Sequence, residues 1–136
     1  EEAYFADLCR MQEIIFEQTG EYAKLVRFPG GSSNTVSHFN PGIMTRLTND
    51  LNDMGYAYFD WNVSAADTAS DATRYTVIEN FKESVPKHDY SVVLQHDTNA
   101  FSVDAVEEIL SWGIKNGYSF RALDLTSPAV HHSVAN

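Results

Sequence analysis

An α/β fold is predicted by three features of the sequence. Helical apolar stripes alternate with short β-branched or aromatic runs, Pro, Gly, Asn and Asp punctuate the joins, and one run is apolar on both faces. The order reads helix then strand, four times over, across residues 1–136. A chain of that length with 43% hydrophobic residues can build one cored domain and is too short for two.

Each element has its own signal. Tyr4, Phe5, Leu8, Met11, Ile15 and Phe16 recur at helical spacing, and Thr19-Gly20 stops the helix where Gly takes the left-handed cap. Leu25-Val26 begins a strand that ends in Arg27-Phe28-Pro29-Gly30-Gly31. Asn40-Pro41 reads as an N-cap and first-turn proline, followed by the stripe Ile43, Leu47, Leu51 and Met54 and a closing Gly55. The run Tyr56 to Val63 is aromatic and β-branched, as a strand prefers. A third helix is expected over 71–84, with Tyr75, Ile78 and Phe81 inward and Pro86 beyond its end. Ser91 to Leu94 is the run suited to burial on both faces, and it ends at Gln95-His96-Asp97. Ser102 is expected to cap a fourth helix whose Val103, Val106, Ile109, Leu110 and Ile114 face the core, and Tyr118 to Leu123 is the last expected strand.

Composition narrows the function classes. Nine Lys and Arg against nineteen Asp and Glu give a net charge of -10, so a nucleic-acid partner is set aside, because phosphate binding needs clustered positive charge. Cys9 is the only cysteine, which excludes an intramolecular disulfide, and its place between Leu8 and Met11 predicts a buried, inert thiol. No stretch approaches the roughly 18 apolar residues of a membrane span. The chain opens on Glu1-Glu2 without a Met, a basic region or an apolar leader, so the native N-terminus is expected to lie upstream.

Alternating strands and helices favour parallel strands, and in barrels of that kind the working residues gather at the C-terminal strand ends. Arg27, Asp67 and His96 each fall at or just past such an end, which would set a guanidinium, a carboxylate and an imidazole on one rim. Singly, each has an ordinary reading as a surface pair, a turn residue or a loop residue; together they point to a site.

At these residues the sequence resembles a known family. Arg27-Phe28-Pro29-Gly30 resembles the Arg-x-Pro motif of the NodB-homology polysaccharide deacetylases, carbohydrate esterase family 4, and Leu94-Gln95-His96 resembles their Leu-x-His motif. Trp61-Asn62-Val63-Ser64-Ala65-Ala66-Asp67-Thr68, lying between them, resembles the motif usually written Asp-x-x-Asp-Trp. Ser64 stands where many members have the first Asp, and Thr68 where many have Trp. The resemblance implies the C-terminal half of a distorted (β/α) barrel of the NodB-homology type, with about four parallel strands and flanking helices. It makes residues 1–136 a partial deacetylase domain.

The implied reaction is metal-assisted hydrolysis of N-acetyl groups on an amino-sugar glycan such as peptidoglycan or a chitin-like polymer. By resemblance His96 is the acid that protonates the leaving amine, since imidazole holds and releases a proton near neutrality. Asp67 would hold His96 in its working tautomer. Arg27 would orient the catalytic carboxylate by a bidentate contact. Leu94 would line the acetyl-methyl pocket, Phe28 and Pro29 would be substrate-binding, and Trp61 would contribute to the sugar-facing wall, although an aromatic in the middle of a strand is more often core. A divalent metal, zinc or similar, is implied for the full-length family, yet the family's Thr-Phe-Asp-Asp-Gly and His-(Ser/Thr)-x-x-His motifs, which supply the base and metal ligands, do not occur in this chain. His38, His88, His131 and His132 do not replace them.

The chain is therefore expected to be part of a deacetylase and inactive alone, the alternative being a glycan-binding module that keeps the groove without turnover. An unrelated barrel enzyme with accidental motif matches is a weaker rival. An N-acetylated polysaccharide is the expected partner, and the resemblance implies an extracellular or cell-wall location in a bacterium. Half a barrel exposes two sheet edges and leaves Leu25, Val26, Val92 and Leu94 facing water, so either a missing N-terminal segment or a second copy of the chain is expected to cover them.

Overall fold

The computed structural model describes residues 1–136 and divides them into two compact units, residues 1–60 with 123–136, and residues 61–122. Helices and short parallel strands follow one another along the chain, but two strands are consecutive between the second and third α-helices, none follows the last helix, and the strands form two separate two-stranded pairs.

In the first unit, helix α1 spans Glu2–Thr19 and ends on Gly20 at φ 76°, whose N–H bonds back to the Phe16 carbonyl. Its inward face runs through Tyr4, Phe5, Leu8 and Gln12, and buried Gln12 donates to the Ala23 carbonyl at 2.7 Å. That face rotates Met11, Phe16 and Cys9 outward: all three are exposed, which corrects the expected stripe and the expected buried thiol. Strand β1, Leu25–Val26, pairs in parallel with β2, Ala57–Tyr58, in the register Leu25 to Ala57 and Val26 to Tyr58. Helix α2 spans Ile43–Asp53, later than the expected Asn40 cap, because a 3-10 turn over Thr35–Phe39 claims Asn40, whose N–H closes onto the Ser37 carbonyl. Met44, Leu47 and Leu51 of α2 pack with Phe28 and Tyr58 to form this unit's core.

The expected strand from Tyr56 to Val63 is two strands. Hydrogen bonding explains the break: the Asp60 N–H goes to the Val130 carbonyl, while the Asn62 side chain accepts from the Val92 N–H and donates to the Tyr90 carbonyl. Side chains and the tail take the positions that a continuous ladder would need.

In the second unit, β3, Val63–Ser64, pairs in parallel with β4, Val93–Leu94. Helix α3, Arg74–Ser84, starts at a reciprocal Thr73/Thr76 capping box and buries Val77, Ile78 and Phe81. Tyr75, expected inward, is 70% exposed. Helix α4 spans Ala100–Lys115 and packs on α3 through Ala105 and Ile109. Its buried residues are Ser102, Ala105, Ile109 and Gly113, mostly small, so the helix comes in close on the face with least bulk. Val103, Val106, Leu110 and Ile114, expected in the core, are exposed. Residues 118–123 form no strand. The Tyr118 N–H instead caps α4 through the Gly113 carbonyl, and the Tyr118 ring stacks on Trp112 at 5.8 Å.

Of the residues expected to face water at open edges, Val92 is buried, and Leu25, Val26 and Leu94 are half-buried.

Candidate functional site

Parallel pairing of β3 with β4 sets the C-terminal ends of both strands side by side. Asp67 lies three residues past β3 and His96 two past β4, so a short turn from each strand brings the two together. Between β3 and Asp67, Ala66 takes φ 53°, the left-handed region where a Cβ is disfavoured, and this turns the chain so that the Asp67 carboxylate points inward.

Asp67 is 2% exposed and fully engaged. Its Oδ1 lies 2.9 Å from His96 Nδ1, and its Oδ2 accepts from the His96 backbone N–H at 2.6 Å and from the Ser102 hydroxyl at 2.8 Å. The Asn99 side chain donates to the Asp67 carbonyl at 3.1 Å. Burial alone would raise the carboxyl pKa, but the bonds from His96 and Ser102 outweigh it and hold the group below its ordinary value. Asp67 is thus an acceptor only, which requires a hydrogen on His96 Nδ1. Nε2 is the ring nitrogen left free of the carboxylate, on a side chain 28% exposed. Such a pair can present a proton at Nε2 while Asp67 stabilises the imidazolium.

Ser102 joins the site from inside α4. It was expected to cap α4; Asn99 holds the cap position and Ser102 is the third helical residue, with no exposed surface. The signal lay in a lone hydroxyl on the small-residue face shared with Ala105 and Gly113. Gln95 anchors the same turn by donating to the Ser102 carbonyl at 2.6 Å.

The other expected site residues are distributed as follows. Leu94 is half-buried in β4, and Trp61 is half-buried in the second unit. Arg27, Phe28 and Pro29 belong to the first unit. Arg27 and Pro29 are exposed, whereas Phe28 is 3% exposed and its ring is taken up by the core, 5.8 Å from Tyr4 and 5.6 Å from Tyr58. The loop carrying them is pinned by a second buried carboxylate. Asp60, 1% exposed, accepts from the Ser32 N–H at 2.7 Å, the Ser32 hydroxyl at 2.5 Å and the His132 N–H at 2.8 Å. Burial works against its ionisation, and these donors again prevail and hold it below the ordinary value.

No group of three or more His, Cys, Asp or Glu side chains in this chain could hold a metal ion, so its residues do not fit the implied metal. No helix is long and apolar enough to cross a membrane.

No family model matches the sequence. The catalytic domain of a peptidoglycan N-acetylglucosamine deacetylase from Eubacterium rectale superposes with a TM-score of 0.95 at 50% identity, covering 99% of this chain and 62% of that one. The chain is similar to the polysaccharide deacetylases. A polysaccharide deacetylase from Bacillus cereus superposes with a TM-score of 0.69 at 26% identity, over 97% of this chain and 61% of that one. A curated peptidoglycan-N-acetylglucosamine deacetylase, also from Bacillus cereus, is 29% identical over 124 residues, which is 88% of this chain. The chain spans 42% of that deacetylase's length.

Proposed function

We propose that residues 1–136 are the acid-bearing part of a peptidoglycan-type N-acetylglucosamine deacetylase, folded as part of a NodB-type distorted barrel. The carrying observation is the buried Asp67 carboxylate hydrogen-bonded to His96 Nδ1 at the ends of two paired parallel strands. The likeness to deacetylases over nearly the whole chain supports the substrate class.

In this reading His96 Nε2 delivers a proton to the leaving amine nitrogen as the amide C–N bond breaks, and Asp67 holds the ring and balances its charge. Leu94 lines the pocket for the acetyl methyl. Arg27 acts on the base-bearing carboxylate, and Pro29 and Trp61 face the sugar. The base and the ligands of the divalent metal come from outside residues 1–136, so the chain alone does not turn over substrate. The site of action is the bacterial cell wall.

A chimera tests this. Residues 1–136 are completed with the remaining segments of the Eubacterium rectale catalytic domain, and acetate release from N-acetylglucosamine oligomers is measured. The chimera is expected to release acetate, and His96→Ala to lower the rate by about 10²- to 10⁴-fold, the usual contribution of a positioned acid. A His96→Ala chimera as active as its parent would overturn the assignment, and glycan binding without acetate release would favour the non-catalytic module.

A further inference from the structure

We infer that Ser102 is a positioning residue of the same site, fixing the tautomer of His96 through Asp67; the inference rests on the His96–Asp67 reading above. The argument is one of occupied lone pairs. A carboxylate bonded to a histidine ring can rotate about its Cβ–Cγ bond, exchange its oxygens or swing away from the ring. Here Oδ2 is claimed twice, by the His96 N–H at 2.6 Å and by the Ser102 hydroxyl at 2.8 Å. Those two donors lock the carboxylate plane, and Oδ1 is left in one position, 2.9 Å from Nδ1.

The Ser102 hydroxyl has one proton to give, and with no exposed surface it has no water to give it to. Its direction is set by α4, and the Gln95 side chain bonded to the Ser102 carbonyl at 2.6 Å ties that helix turn to the segment carrying His96. Ser102, Asp67 and His96 therefore form one relay of position, in which the serine never meets substrate. Replacing the hydroxyl by hydrogen frees one lone pair of a buried carboxylate, and the carboxylate then reorients to recover a donor.

The test reads the tautomer directly on this chain. Histidine ¹⁵N shifts are recorded at a pH where the imidazole is neutral, for wild type and Ser102→Ala, with thermal melts alongside. Wild type is expected in the Nδ1–H form, and Ser102→Ala is expected to lower the ratio of Nδ1–H to Nε2–H by about fivefold, the effect of losing one typical hydrogen bond. A Ser102→Ala chain that melts earlier yet keeps the wild-type ratio would assign Ser102 a purely structural role and overturn the inference. A wild-type chain in the Nε2–H form would instead overturn the His96–Asp67 reading itself. Should Ser102→Ala fail to fold, the wild type decides: the Asp67 Cγ resonance must show an H/D isotope shift from a hydroxyl donor, and its absence counts against the proposal.

Discussion

His96 Nδ1 and Asp67 Oδ1 lie 2.9 Å apart, joining residues 29 positions apart in the chain at the ends of β3 and β4. Because Asp67 is buried and ionised, this contact ties acid stability to the site. The folded chain holds Asp67 and Asp60 below their ordinary carboxyl values, so under acid the unfolded chain takes up protons first. Their stabilisation is complete above the ordinary value of about 4 and is lost as pH falls through the lowered folded values. Melting temperature is expected to be flat from about pH 7 to 5 and to drop below about pH 4. Asp67→Asn should melt lower at neutral pH and lose less on acidification, which calorimetry across pH would show.

The two faces of α4 make opposite predictions. Ile109, 4% exposed, packs against α3, and Ile109→Ala should cost about 2 to 4 kcal/mol. Ile114 is 67% exposed, and Ile114→Ala should stay within about 0.5 kcal/mol of wild type. Urea unfolding of both variants checks the orientation of the helix.

At Ala66 the backbone is in the left-handed region. Ala66→Gly removes the Cβ conflict and should raise stability by up to about 1 kcal/mol, net of the extra freedom of glycine in the unfolded chain. Ala66→Val adds a β-branched side chain to the same backbone and should cost about 1 to 3 kcal/mol. If valine is tolerated, as denaturant midpoints would reveal, the turn that aims Asp67 is looser than described.

Metal content is the fourth expectation. After dialysis against a weak chelator, elemental analysis of residues 1–136 should find well under one equivalent of zinc, since no cluster of ligands is present. One equivalent held through His96 would contradict the acid role.

Much of the site was legible because strand ends are. Parallel strands bring their C-terminal ends together, which placed Asp67 and His96 on one rim, and the resemblance to the deacetylase motifs implied their pairing. Ser102 was not legible, because its hydroxyl reads as a cap at the start of any helix, and only the packing of α4 decides that it turns inward. The same packing defeated the hydrophobic stripe: Ala105 and Gly113 are inside because they are small, while the larger Val103, Val106 and Leu110 stay out. Phe28 shows the converse, a motif residue whose bulk was needed by the core. The expected long strand failed at Asp60 and Asn62, where the Asp60 N–H turns to the Val130 carbonyl and the Asn62 side chain takes the Val92 N–H, contacts that sequence spacing does not indicate.

The Asp60 clasp sets an order of events during synthesis. Its donors come from residue 32 and residue 132, on opposite sides of an uninterrupted second unit. A ribosome delivers the chain in one direction, so residues 61–122 can assemble around Val77, Ile78 and Phe81 as soon as they emerge. Residues 1–60 emerge before them, and Asp60 lacks its His132 donor until residue 132 has been made. Closure of this clasp is thus a late event, because it cannot precede synthesis of residue 132.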